Sequence, residues 1–201
     1  MRKFFRDNSL TIVLMVVFLA SLVGMSLTGW SRHLDELQTH GMPPVTFWAY
    51  VTSGEFVSAL FENWESEFLQ MAAYVCLTAV LFQRGSAESN DPDEAQKQRG
   101  SFGWLYSYSL GLALAALFVL SFLLHFEGSF RAAADEAMRH GNPPPGLTAY
   151  VFDPGFWFES FQNWQSEFLS TAVLVVLSIF LRFQGSPESK DVEDPHSKTG
   201  K

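Results

Sequence analysis

Two stretches of this chain set an amide, an indole, a hydroxyl and a carboxylate within five residues of one another: Asn63-Trp64-x-Ser66-Glu67 and Asn163-Trp164-x-Ser166-Glu167. On a helix, residues four apart share a face, so Asn63 stands beside Glu67 and Asn163 beside Glu167, with Trp64 and Trp164 three residues from the carboxylates. Two such pairs suit the binding of a proton or a small cation. Counting about 20 residues back from Arg84, and likewise from Arg182, reaches the outer boundary of a membrane near the tryptophans and leaves Glu67 and Glu167 just inside it. A carboxylate at that depth is costly and marks a functional site by default. The competing reading is that each Glu takes hydrogen bonds from Asn, Ser or Trp donors across the bundle and only sets helix register. The neighbouring Glu62 and Glu65 become Gln162 and Gln165 in the second stretch, and read as solvent-facing.

His40 and His140 are candidate metal ligands, since imidazole with carboxylate suits zinc, manganese or iron. Each directly precedes a glycine, however, where histidine commonly bonds the last carbonyls of a helix. A membrane metalloenzyme would need one of them within reach of a glutamate, both about 2 Å from a common metal. His33 has no counterpart at position 133 and His125 none at 25, which argues against a paired-histidine haem site. HExxH, GxSxG, phosphate-loop and CxxC motifs are absent, so no catalytic residue is assigned and no cofactor is implied. The single Cys76 lies in an apolar run and reads as a packing residue rather than a disulfide or metal partner.

The elements that must position these groups come from a duplication. Shifting the chain by 100 residues aligns His40-Gly41-x-Pro43-Pro44 with His140-Gly141-x-Pro143-Pro144, and Gly85-Ser86-x-Glu88-Ser89 with Gly185-Ser186-x-Glu188-Ser189. About half of residues 40–69 are identical to their partners. Uncharged runs at 10–27, 68–82, 105–126 and 168–181 then predict four membrane-crossing helices, two per unit, the second and fourth being short. An even number of spans per unit makes the repeats parallel, related by an axis along the membrane normal. The fold class is an all-α membrane protein of two tandem helical hairpins: residues 1–85, a flexible linker at 86–101, residues 102–185, and a disordered tail at 186–201.

Charge sets the orientation. With the N-terminus inside, ten basic residues face the cytoplasm and three lie outside, so both termini are cytoplasmic. The acids run the other way, twelve outside and nine inside, giving formal charges of −9 and +1. Such an outer face attracts cations and repels nucleic acid. Helices continue past the membrane to stops at Gly41 and Gly141, and return helices start near Ser53 and Asp153 and run about 30 residues to Gly85 and Gly185. Trp30, Trp48, Trp64, Trp157 and Trp164 fit an aromatic belt at the outer interface.

The Phe-x-Asn-Trp-x-Ser-Glu-Phe-Leu pattern, the His-Gly-x-Pro-Pro turn and the Gly-Ser-x-Glu-Ser exit resemble a family of small bacterial four-helix membrane proteins classified only as a domain of unknown function. The resemblance covers nearly the whole chain and implies the bacterial cytoplasmic membrane, with no activity or ligand. The expectation is a non-enzymatic membrane module binding a proton or small cation at Glu67, Glu167, Asn63 and Asn163. The alternatives are a structural or protein-interaction module without ligand and, third, a metalloenzyme. The lipid bilayer is the expected partner. Few polar residues line the inner halves of the spans, so proton passage would need the bundle to open or to form a homo-oligomer.

Overall fold

The structure is a computed structural model that describes residues 2–93 and 103–200. Every regular element among them is helical: α1 (Arg2–Asp7), α2 (Ser9–Thr39), α3 (Phe47–Val51), α4 (Gly54–Thr78), α5 (Trp104–Ser107), α6 (Ser109–Arg139), α7 (Leu147–Tyr150) and α8 (Pro154–Phe180). The chain divides into two compact units, one made of Met1–Ala59 with Glu127–Pro145 and the other of Leu60–Phe126 with Gly146–Lys201. Residues 94–101 of the predicted linker lie outside the described residues.

In the first unit, α2 runs 31 residues without a break. It stops where a left-handed residue is needed: Gly41 has φ 68°, its N–H bonds the Gln38 carbonyl, and the Met42 N–H bonds that of Leu37. This is the Schellman arrangement, which satisfies carbonyls that the helix end would leave bare. Helix α6 closes the same way in this unit, with Gly141 at φ 72° and Asn142 N–H on the Ala137 carbonyl. The first turn of α4 crosses α6 at backbone distance. A Cβ on Gly54 would sit 2.5 Å from the Ala132 nitrogen, and one on Gly128 would sit 2.4 Å from that of Ser58. Small residues at both positions are what allow this approach. Arg131 fastens the crossing by donating to the Thr52 carbonyl at 3.0 Å.

In the second unit, α8 begins as its sequence signals, with the Asp153 carboxylate accepting from the Gly155 and Phe156 amides and Pro154 in the first turn. The core is aromatic. Phe156, 2% exposed, meets Phe122, Phe126, Tyr150 and Trp157 with ring centroids 5.1–6.1 Å apart. The return helices fall short of the predicted 30 residues, at 25 for α4 and 27 for α8. No glycine or proline stops them; the chain instead turns, and the Ser89 and Ser189 hydroxyls accept the Gln83 and Phe183 amides. Both Gly-Ser-x-Glu-Ser segments then make the same bonds, with Ser86 Oγ accepting from the Glu88 amide and Ser186 Oγ from that of Glu188.

The segment read as a solvated tail carries hydrogen-bonded turns. Lys190, 2% exposed, donates its ammonium to the carbonyls of Gly85, Pro195, His196 and Lys198. Removing that ammonium from water pulls its pKa below the ordinary lysine value. Lys198 bonds the Asp194 carboxylate at 2.7 Å and holds it below the usual carboxylate range.

Burial in these helices is inverted relative to a water-soluble core. Leu10, Val13, Leu14, Val16 and Val17 of α2 and Leu117, Val119, Leu120 and Leu123 of α6 are exposed, while Ser26, Ser121, His125 and Ser129 are buried. Among the described helices, α2 and α6 are long and apolar enough to cross a membrane.

Candidate functional site

Helix α6 carries its polar groups on one stripe. Ser121, His125 and Ser129 follow each other at four-residue spacing and are all buried, whereas the neighbouring Leu120 and Leu123 are exposed. His125 is therefore aimed into the second unit, where it is 0% exposed. Its Nδ1 lies 3.0 Å from Glu65 Oε2 of α4. Glu65, also fully buried, accepts a second bond at Oε1 from the Trp164 indole of α8, at 3.1 Å. With Glu65 accepting at both oxygens, Nδ1 carries a proton and the Nε2 side of the ring is what remains for other chemistry.

Nε2 is buried and has no hydrogen-bond partner. The nearest carboxylate oxygen, Glu159 Oε2, is 3.6 Å away, outside hydrogen-bond range. Glu62, one turn before Glu65, completes the group: one donor atom each from Glu62, His125 and Glu159 lie within 4.8 Å of one another. Asn163 reaches Glu62 Oε1 through its side-chain amide and fixes that carboxylate from α8. The Phe156 ring packs on the imidazole at a centroid distance of 5.0 Å. One face of the histidine is thus held by a carboxylate and an aromatic ring, and the opposite nitrogen opens toward two further carboxylates.

The residues singled out in the sequence are distributed differently. Glu65 is not solvent-facing: it is the most enclosed carboxylate described, and Glu62 is half-buried beside it. Glu67 and Asn63 are exposed on α4, and Glu167 is half-buried on α8. Asn163 pairs with Glu62 and with the Glu159 carbonyl rather than with the Glu167 side chain. Trp164, assigned to an interfacial belt, serves as the indole donor to Glu65; Trp64 is half-buried against Phe61 at 5.0 Å. His40 is exposed and donates through Nδ1 to the Glu36 carbonyl at 2.8 Å, and His140 is exposed with Nε2 2.7 Å from Glu136 Oε1. Neither stands in a three-donor cluster among the described residues. The histidines that do are His125 and His33, both at positions unmatched in the other half of the chain.

One buried and two half-buried carboxylates around a buried imidazole belong to an all-helical protein with two helices of membrane-spanning length and composition. The chain belongs to the family described as Domain of unknown function (DUF6766), whose model matches residues 1–201. No curated protein and no solved structure matches it.

Proposed function

We propose that this chain is a four-span protein of the bacterial cytoplasmic membrane that binds a divalent transition-metal cation at Glu62, His125 and Glu159. The observation that carries the reading is the state of His125: Nδ1 is clamped by Glu65 while the buried Nε2 has no hydrogen bond and faces carboxylate oxygens. Metal-bound histidines characteristically give their other N–H to a carboxylate, which fixes the tautomer and makes the ligating nitrogen more basic. Donors bonded at about 2.0–2.2 Å lie at most about 4.4 Å apart. Only a trans pair reaches that span, and tetrahedral donors lie about 3.3–3.6 Å apart. His125 Nε2 and Glu159 Oε2 already stand at 3.6 Å. The three donors, all within 4.8 Å of one another, close by up to about 1.4 Å through rotation of the half-buried Glu62 and Glu159 side chains. One nitrogen and two oxygens suit zinc, manganese or iron(II) better than a soft ion that prefers thiolate.

Membrane insertion is supported by the inverted burial of α2 and α6 and by the excess of basic residues on the side assigned to the cytoplasm. The tandem repeat is supported by the matched Schellman stops at Gly41 and Gly141 and by the matched exit turns at Ser86 and Ser186. Two spans from α2 and α6 are completed in this reading by the apolar inner parts of α4 and α8. This topology places the lipid bilayer around the bundle and both termini in the cytoplasm. Glu67 and Glu167, with Asn63 and Asn163, have less in their favour as a proton or cation site, because Glu67 is exposed and Asn163 is occupied by Glu62. The rival structural module is favoured by one observation, the saturation of Glu65 by His125 and Trp164.

The test is elemental analysis of the full chain in mild detergent after equilibration with micromolar zinc, beside a Glu62→Gln, Glu159→Gln variant of matched helicity. Loss of one equivalent of zinc in the variant supports the site. Equal zinc in both samples, or none in either, overturns it.

A further inference from the structure

The first unit holds a second donor set that the His125 site does not use. His33 lies on α2 beyond the apolar run, with its side chain 6% exposed, and Nδ1 is 2.8 Å from Glu55 Oε2 on α4. That separation is hydrogen-bond length, yet Nδ1 is a buried nitrogen with no hydrogen-bond partner, so the ring N–H direction does not meet the oxygen. A buried nitrogen 2.8 Å from a carboxylate oxygen, with no hydrogen bond between them, leaves both atoms available to a common ion. Adjacent ligands on an octahedral ion with bonds of about 2.1 Å are about 3.0 Å apart, close to the separation found here. Glu36 stands one turn after His33 on the same face of α2, and all three donor atoms lie within 4.8 Å of one another.

The surroundings hold the histidine in place. The Tyr50 ring lies against the His33 ring, with centroids 5.3 Å apart and a tilt of 38°. Arg32 bonds Glu36 Oε1 at 3.0 Å, leaving the other carboxylate oxygen for a ligand. We infer that His33, Glu36 and Glu55 form a second site for a divalent transition-metal ion, built independently of the one at His125. Only Glu36 has a counterpart in the second half of the chain. His33 is replaced there by Ala133 and Glu55 by Gly155, so one half alone can assemble this donor set.

Cobalt(II) loading of the full chain in detergent separates the two sites, with bound metal counted by elemental analysis after free ion is removed. Wild type is expected to hold two equivalents; His33→Ala and the near-isosteric Glu55→Gln each lose one, and the remaining equivalent disappears when His125→Ala is added. Glu136→Gln, at the exposed counterpart of Glu36, serves as control and retains both. Glu55→Gln with the same cobalt content as wild type overturns the inference even if His33→Ala does not fold. A wild type that holds one equivalent, lost with Glu55→Gln and kept in His125→Ala, supports this site while overturning the His125 site.

Discussion

Replacing Glu65 by Gln tests how the buried imidazole is used, because the substitution changes proton placement with almost no change in shape. In the native site both Glu65 oxygens accept, one from Trp164 Nε1 at 3.1 Å and one from His125 Nδ1 at 3.0 Å. A glutamine keeps the first bond through its carbonyl, but its amide must point an N–H donor at Nδ1. The histidine then accepts there and carries its proton on Nε2, the nitrogen aimed at Glu159. Hydrogen bonding is conserved, so the cost to stability is small, whereas Glu65→Ala strips both partners from a fully buried network and costs about 3–5 kcal/mol. Metal binding responds in the opposite order of subtlety. An Nε2 that bears a proton cannot ligate until the tautomer is reversed, and loss of such a supporting carboxylate costs about 10–100-fold in metal affinity. The assay is a cobalt(II) titration against a competing chelator, with thermal unfolding in the same detergent, on wild type, Glu65→Gln and Glu65→Ala. A Glu65→Gln protein that melts within a few degrees of wild type and binds at the His125 site with undiminished affinity would refute the reasoning from tautomer to function.

Three further outcomes follow from the same geometry. Gly128→Ala places a Cβ 2.4 Å from the Ser58 nitrogen, and the forced separation of α4 from α6 is expected to cost about 1–3 kcal/mol; a melting temperature unchanged within a degree would show that the crossing yields freely. The Asp194 carboxyl is held low by Lys198, so its contribution to the tail turns is present in full above the ordinary aspartate range and is lost as pH falls below that range through the lowered folded-state pKa. A nitroxide at Ser197→Cys in a Cys76→Ser background should be ordered at pH 7 and become mobile only in acid well below the ordinary aspartate range; unchanged mobility down to the pH at which the helices themselves unfold would dismiss the latch. In the same background, Thr39→Cys should react with a membrane-impermeant thiol reagent added outside intact cells, while Ser197→Cys reacts only after lysis; the reverse pattern would invert the proposed topology.

What the sequence made legible are the features set by local chemistry. The glycines at 41 and 141 stop helices because only a residue at ease with positive φ can close the Schellman turn, and Asp153 starts one because its carboxylate meets two free amides. The ends of α4 and α8 were hidden, since Val80, Leu81 and Phe82 continue the apolar pattern, and the serine hydroxyl that caps the following stretch of chain comes from six residues further on. The candidate site was hidden for a different reason. Matching the two halves draws attention to residues they share, Glu67 with Glu167 and Asn63 with Asn163, whereas His125, Glu159, Glu62 and Glu65 face Met25, Ala59, Gln162 and Gln165 at the equivalent positions. The substitution of Glu65 by Gln165 suggested a surface, yet it records a carboxylate needed once, opposite a histidine that also occurs once. One local signal does point there: an ionisable residue between Leu124 and Phe126, in line with Ser121 and Ser129, is expensive in a lipid-facing helix unless partners await it. On the proposed duplication, chemistry that needs one imidazole among several carboxylates arises only where the two copies have diverged.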